Sequence, residues 1–130
     1  MKVMALDYGS ARTGVAVSDP TGTLARPLGV VAQAGAERGL AELARLVLEQ
    51  DVERVVVGLP LTLRGTRGEQ AVETEQFVDA LRSVLDIPVE LYDERFTTDL
   101  AQQTDGAAPE DALAAAHLLS TYLEWCAARS

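Results

Sequence analysis

Apolar residues recur along this chain with two different periods, and the way the periods alternate lays out an α/β domain. Residues 2–6 (KVMAL) form a short apolar run that ends on Asp7. A turn-rich stretch, YGSARTG, follows, and Val15 and Val17 lead a second run that stops at Ser18-Asp19-Pro20. Two such runs joined by a glycine-containing loop predict a hairpin. Residues 27–32 (PLGVVA) supply a third strand after the turn at Pro20 and Gly22.

The period then changes. Leu40, Leu43, Ala44, Val47 and Leu48 recur at the spacing of one face of an amphipathic helix. RVVVG, residues 54–58, is a continuous apolar run of strand length, as expected of a strand covered on both faces. The glycines, proline and arginines of LPLTLRGTRG predict a loop. A second helix is expected from about Glu69 to Leu85, with Ala71, Thr74, Phe77, Val78, Leu81 and Leu85 on one side. IPVELYDE supplies a fifth strand, and residues 97–104 a short helix that breaks near Asp105-Gly106. The last helix opens at Pro109, a favoured first-turn position, with Ala112, Ala115, Ala116, Leu119, Tyr122, Leu123 and Cys126 facing inward.

The expected order is thus β-β-β-α-β-α-β-α. Strands alternating with helices pair in parallel through right-handed crossovers, and the first three strands add an antiparallel edge. The fold class is α/β: a mixed five-stranded sheet with helices packed on it. At 130 residues, one domain spanning 1–130 is expected.

In open α/β sheets, ligands bind beyond the carboxyl ends of the parallel strands. Asp7 ends the first strand, and Asp93-Glu94 ends the fifth. Side chains alternate along a strand, so only one of Asp93 and Glu94 can readily share a face with Asp7. Asp111 opens the last helix at the border of its apolar face and leans toward the sheet. Each acid also has a plainer reading. Asp7 suits a turn, Asp111 complements a helix dipole, Glu94-Arg95 can be a surface ion pair, and Thr97-Thr98 can cap the short helix. Carboxylates converging on one point repel, however, and a bound cation relieves the repulsion. Oxygen donors without cysteine or clustered histidine favour Mg²⁺ or Mn²⁺ over zinc, and two such ions suit phosphodiester hydrolysis.

Composition adds constraints. The balance of 48% apolar and 24% charged residues is that of a globular chain, so little disorder is expected. No segment approaches the roughly 18 apolar residues that suggest a membrane span, and MKVMALDYG reaches an acid too early for a secretory signal. A lone Cys126 rules out an internal disulfide, so a cytoplasmic protein is expected. The single His117 and Trp125 are expected to serve structure rather than chemistry. A net charge of −9 runs against nucleic-acid binding, which usually calls for a basic surface. The excess acid is expected on outer helix faces, at Glu42, Glu49, Glu73, Glu75 and Asp79. Arg12, Arg64, Arg67 and Arg95 fall in or beside the candidate site segments.

Several segments together carry a resemblance. They are Asp7-Tyr8-Gly9, then Arg12-Thr13-Gly14-Val15-Ala16-Val17-Ser18-Asp19-Pro20, then Val57-Gly58-Leu59-Pro60 with Gly65 and Gly68. Asp93-Glu94-Arg95 with Thr97-Thr98 and Asp111-Ala112 with Ala114-Ala115 follow in order. The chain resembles the YqgF family of Holliday junction resolvase-like, pre-16S ribosomal RNA nucleases from about residue 2 to residue 123. The resemblance implies a ribonuclease H-like fold and a role in maturing the 5′ end of precursor 16S ribosomal RNA. It implies that Asp7, Glu94 and Asp111 are the metal-binding catalytic acids. Arg12, Arg95 and Thr98, with Arg64 and Arg67 of the loop, would then orient the substrate backbone. One departure stands out: members usually carry a longer, basic stretch before the last aspartate, whereas DLAQQTDGAAPE has no lysine or arginine.

Other readings predict different behaviour. A resolvase of branched DNA needs a two-fold dimer, whereas an RNA nuclease can act as a monomer or homodimer. A non-catalytic RNA- or ribosome-associated module would bind with steep salt dependence and yield no products. An ATPase of the sugar-kinase or actin type would use the same hairpin but needs a second domain, for which 130 residues leave no room.

Overall fold

The computed structural model of the protein describes residues 1–60, 68–93 and 110–129. Its strands are β1 (Val3–Asp7), β2 (Arg12–Ser18), β3 (Ala25–Ala32), β4 (Arg54–Leu59) and β5 (Val89–Asp93), and its helices are α1 (Glu37–Glu49), α2 (Glu69–Val84) and α3 (Glu110–Arg129). The strands form one sheet in the order β3-β2-β1-β4-β5. β1 pairs antiparallel with β2 and parallel with β4, and β4 pairs parallel with β5. This is the mixed sheet expected from the alternation of periods. Residues 61–67 of the predicted loop, Glu94 at the end of the predicted fifth strand, the predicted short helix over 97–104 and Pro109 lie outside the described residues.

Alternation within the strands divides the apolar residues into two cores. Met4, Leu6, Val55 and Val57 pack with Leu43 and Val47 of α1 and Phe77, Val78 and Leu81 of α2. Val3, Ala5, Ala16 and Val56 turn the other way, onto Ala115, Leu119 and Tyr122 of α3. The second face is built from small residues, Ala5 and Ala16 on the sheet and Ala112 and Ala115 on the helix, all fully buried. Small facing residues let α3 lie close to the sheet. Its other half is pinned by polar contacts: the Tyr122 hydroxyl donates to Glu90 of β5, and Arg54 Nη1 of β4 donates to the Tyr122 oxygen at 3.2 Å. Burial, reinforced by the bond to Glu90, pushes the Tyr122 hydroxyl above the ordinary phenol range.

Two expectations are corrected. β3 starts at Ala25 rather than Pro27, and Pro27 sits within it. Proline is tolerated there because β3 is an edge strand, and the pairing with β2 shifts beside it, from Val15↔Gly29 to Ala16↔Pro27. Leu48, expected on the inner face of α1, is 79% exposed. Its helix is turned so that Gly39, Leu43 and Val47 face inward. A Cβ at Gly39 would lie 2.3 Å from the Gln33 carbonyl oxygen, so α1 presses its glycine against the preceding loop. Leu48, one residue past Val47 and about 100° round the helix, is carried outward.

The β2–β3 turn is organised by Asp19. Its carboxylate accepts the backbone N–H groups of Thr23 and Leu24, at 2.8 and 2.9 Å, and the Thr21 hydroxyl. The Thr21 bond, followed by the two backbone bonds, holds the Asp19 carboxyl below the usual carboxylate range. A depressed folded-state value means that this stabilisation is complete above the unfolded value near 3.9 and is lost as pH falls through the folded value. Replacing Asp19 by Asn is therefore expected to flatten the acid limb of a stability–pH curve below about pH 4. Urea titrations of both chains at several pH values check this.

Candidate active site

Asp7 is the last residue of β1 and belongs to the set Val3, Ala5, Asp7 that faces α3. The antiparallel register sets it directly opposite Gly14 of β2. Residues paired in this way share a face, with Cβ positions about 4.5–5.5 Å apart. At Gly14 that position is taken by α3: a Cβ there would lie 1.9 Å from the Asp111 carbonyl oxygen and 3.1 Å from the Ala112 nitrogen. The first turn of α3 thus rests on the one residue of β2 that lacks a side chain. Asp7 and Asp111, far apart in sequence, flank the same glycine.

The loop that carries the chain from Asp7 to β2 is closed by Thr13. This fully buried side chain accepts the Gly9 N–H at 3.4 Å and lies 3.5 Å from the Gly9 carbonyl oxygen. A Cβ at Gly9 would fall 2.5 Å from the Arg12 carbonyl oxygen, so the turn is as tight as glycine permits. Arg12 shares the face of Gly14, and its Nη2 lies 3.2 Å from Asp111 Oδ2. That ion pair is open to solvent, with 69% of the arginine side chain and 34% of the aspartate side chain exposed. Exposed pairs are worth about 0–1 kcal/mol, so Arg12 orients Asp111 without locking it.

On the parallel side, Leu6 pairs with Val57, and Gly58 with Tyr92, so Asp7 stands level with the end of β5 across a single strand. Tyr92 faces α3, its ring edge-on to Tyr122 at 5.5 Å, whereas Asp93 is one residue on and faces the opposite core. Of the acids and basic residues expected at the site, Asp7, Arg12 and Asp111 are brought together. Glu94, Arg64, Arg67, Arg95 and Thr98 lie outside the described residues. Among the described residues, no group of three or more His, Cys, Asp and Glu side chains is gathered for a metal ion. Asp7 and Asp111, placed on either side of Gly14, offer hard carboxylate oxygens of the kind Mg²⁺ and Mn²⁺ take. His117 is half-buried within α3, away from Asp7, and Trp125 stacks obliquely on Tyr92 and Tyr122 and carries Arg129 over its ring at 4.6 Å.

Gly14 is the position at this site that pattern reading undervalued. A glycine in the middle of an otherwise well-formed strand marks a close backbone approach, and that signal was present in RTGVAVS.

The family model described as RuvX, Holliday junction resolvase, matches residues 1–125. The chain belongs to this family. With it, the chain belongs to the enzymes that hydrolyse phosphodiester bonds. A protein of Chloroflexus aggregans named "Putative pre-16S rRNA nuclease" is 45% identical over 94% of this chain and 92% of its own length. A relative of the same name from Syntrophomonas wolfei is 38% identical over 95% and 94%. Among solved structures, T. thermophilus RuvC in complex with a Holliday junction substrate superposes with a TM-score of 0.64, covering 97% of this chain and 96% of that one at 20% identity. The fowlpox virus resolvase bound to Holliday junction DNA gives 0.57 at 12% identity, over 97% and 99%. The family's fold is the ribonuclease H-like one of these resolvases, and the mixed sheet conforms to it. No helix among the described residues is long and apolar enough to cross a membrane.

Proposed function

We propose that the chain cuts precursor ribosomal RNA in the cytoplasm, with Asp7, Glu94 and Asp111 as ligands of a pair of divalent cations, Mg²⁺ or Mn²⁺. The observation that carries this reading is the seating of α3 on Gly14, which delivers Asp111 to the face of the sheet that Asp7 occupies. Glu94 lies outside the described residues and enters through the resemblance of Asp93-Glu94-Arg95 to the family's motif. The names of the relatives supply the substrate class. Bound at these acids, the ions would supply an activated water and charge neutralisation at the leaving oxygen.

The chain's own residues divide the remaining work. Asp7 provides negative charge from a rigid strand end, and Asp111 from the first turn of a helix anchored at its other half. Arg12 can exchange Asp111 for a phosphate oxygen, because its guanidinium is exposed and its planar fork suits either partner. Arg64, Arg67, Arg95 and Thr98 extend the same backbone grip. Replacing Arg12 by Ala is expected to change stability by less than about 1 kcal/mol. The same change should weaken RNA binding and lower the slope of log affinity against log salt by about one. Urea melts and binding titrations across salt separate the two effects.

A second reading, cleavage of branched DNA, is favoured by the description of the family itself. One experiment separates the substrates. Purified protein with Mn²⁺ or Mg²⁺ is offered precursor 16S RNA and a four-way DNA junction, and new 5′ ends are mapped. Cation-dependent ends on the RNA alone support the proposal. Symmetric nicks on the junction, with a dimer in sedimentation, transfer it to the resolvase reading. No products on either would leave a nucleic-acid-binding domain only.

A further inference from the structure

A cleft of about 430 Å³ opens beside the Asp7 turn, lined by Tyr8, Ser10, Gln33, Glu73, Gln76 and Phe77 among others. That volume lies in the range of small-ligand sites, roughly 300–1,000 Å³. Its floor is aromatic: the Tyr8 ring stacks on buried Phe77, with centroids 4.4 Å apart and planes 18° from parallel. Its rim is polar, with the amides of Gln33 and Gln76 and the carboxylate of Glu73.

The walls are held in place before any ligand arrives. Gln33 has φ of +47°, a conformation that side-chain-bearing residues seldom adopt and that costs less in glycine or asparagine. It is fixed there by its N–H to the Ala11 carbonyl and by its carbonyl, which accepts the Ala36 N–H, both at 3.0 Å. Gly39 of α1 presses on the same carbonyl from behind. Gly35 lies on the open side, where even a Cβ would come within 3.3 Å of the Tyr8 hydroxyl. Strained backbone that keeps a polar side chain at a cleft mouth is a mark of a binding position.

We propose that this cleft receives one unstacked nucleobase of the strand being cut, guanine in preference to the others. This rests on the nuclease reading above. Among the described residues no lysine or arginine lines the cleft, and Glu73 makes it repel phosphate, so the neutral part of a nucleotide is what fits. Single-stranded nucleic acid is read by stacking bases on aromatic rings and bonding their exposed edges, which is what an aromatic floor and an amide rim offer. A carboxylate only accepts hydrogen bonds, and it can accept two side by side. Guanine alone presents two adjacent donors, N1–H and the N2 amino group, along one edge. Tyr8 follows Asp7 but packs on the opposite face of the sheet, so a base held there belongs to a nucleotide that passes over the strand ends beside the acids.

The test uses the full chain carrying Asp7→Asn and fluorescent uridine octamers with guanine, adenine, cytosine or uridine at one central position. Anisotropy titrations are expected to show the guanine strand binding about tenfold tighter than the all-uridine strand. In the background of the exposed substitution Glu73→Ala the preference should fall to within about twofold, while the all-uridine strand keeps its affinity within about threefold. Gln33→Gly, which relaxes the backbone and removes the amide, should lower binding of every strand with a central purine. Equal binding of all four strands, or a guanine preference that survives Glu73→Ala, overturns the proposal; so does failure to bind any strand. Gels of the same mixtures keep the two readings apart. Cutting by the Asp7→Asn chain counts against the role of Asp7 alone, and the base preference stands or falls on the titrations.

Discussion

Asp7→Asn is expected to reduce cation-dependent cleavage by well over a hundredfold while leaving the unfolding midpoint within a degree or two of the parent. The magnitude follows from position. Loss of a residue that only supports a metal ligand typically costs 10–100-fold in affinity or activity, and loss of a ligand itself should cost more. The fold should survive because the change keeps size and shape at a half-buried strand end. Cleavage assays across Mn²⁺ concentration, run beside thermal melts, are the check. If high Mn²⁺ restores full activity, Asp7 binds the ion weakly and the burden shifts to the other acids; if activity never changes, Asp7 has no part in the chemistry.

Gly14→Ala should be nearly as damaging, by a different route. The added methyl would lie 1.9 Å from the Asp111 carbonyl oxygen and 2.4 Å from its carbon, both backbone atoms that cannot swing aside. Either β2 bends away or the first turn of α3 lifts from the sheet. Overpacking of this kind costs about 1–3 kcal/mol and occasionally more. Activity should fall further than stability suggests, since a lifted first turn moves Asp111 away from Asp7. The expected signature is a folded protein with a lowered midpoint and little cleavage. Ala16→Gly, on the same face but away from the acids, serves as a control that loosens the α3 contact without displacing Asp111.

Much of this was legible in the residues. The continuous run RVVVG predicted a strand covered on both sides, and Val55, Val56 and Val57 are all buried. The face of α2 was read correctly from Ala71 through Leu81 because long helices with strong spacing leave little choice of rotation. Leu48 misled because five apolar residues at helical spacing define a stripe wider than a sheet contact, and a glycine outside that stripe decided the rotation. The acids could be placed at strand and helix ends by pattern, but the approach of the first turn of α3 to Gly14, opposite Asp7, could not. It depends on the antiparallel register that sets Asp7 against Gly14 and on a helix lying across the sheet. Glu73 is exposed, as expected of an acid on an outer helix face, and it also borders the cleft beside Tyr8, because a helix edge can border both solvent and a groove.

α3 has two employments: it closes one of the two cores and carries an acid at its tip. A ribosome releases that helix after everything else described here. Until it docks, half the sheet is bare and the Asp7 turn faces no opposing acid, so an unfinished chain emerging amid RNA has no complete blade. On the proposed site, the docking that finishes the fold would also be the step that readies it to cut.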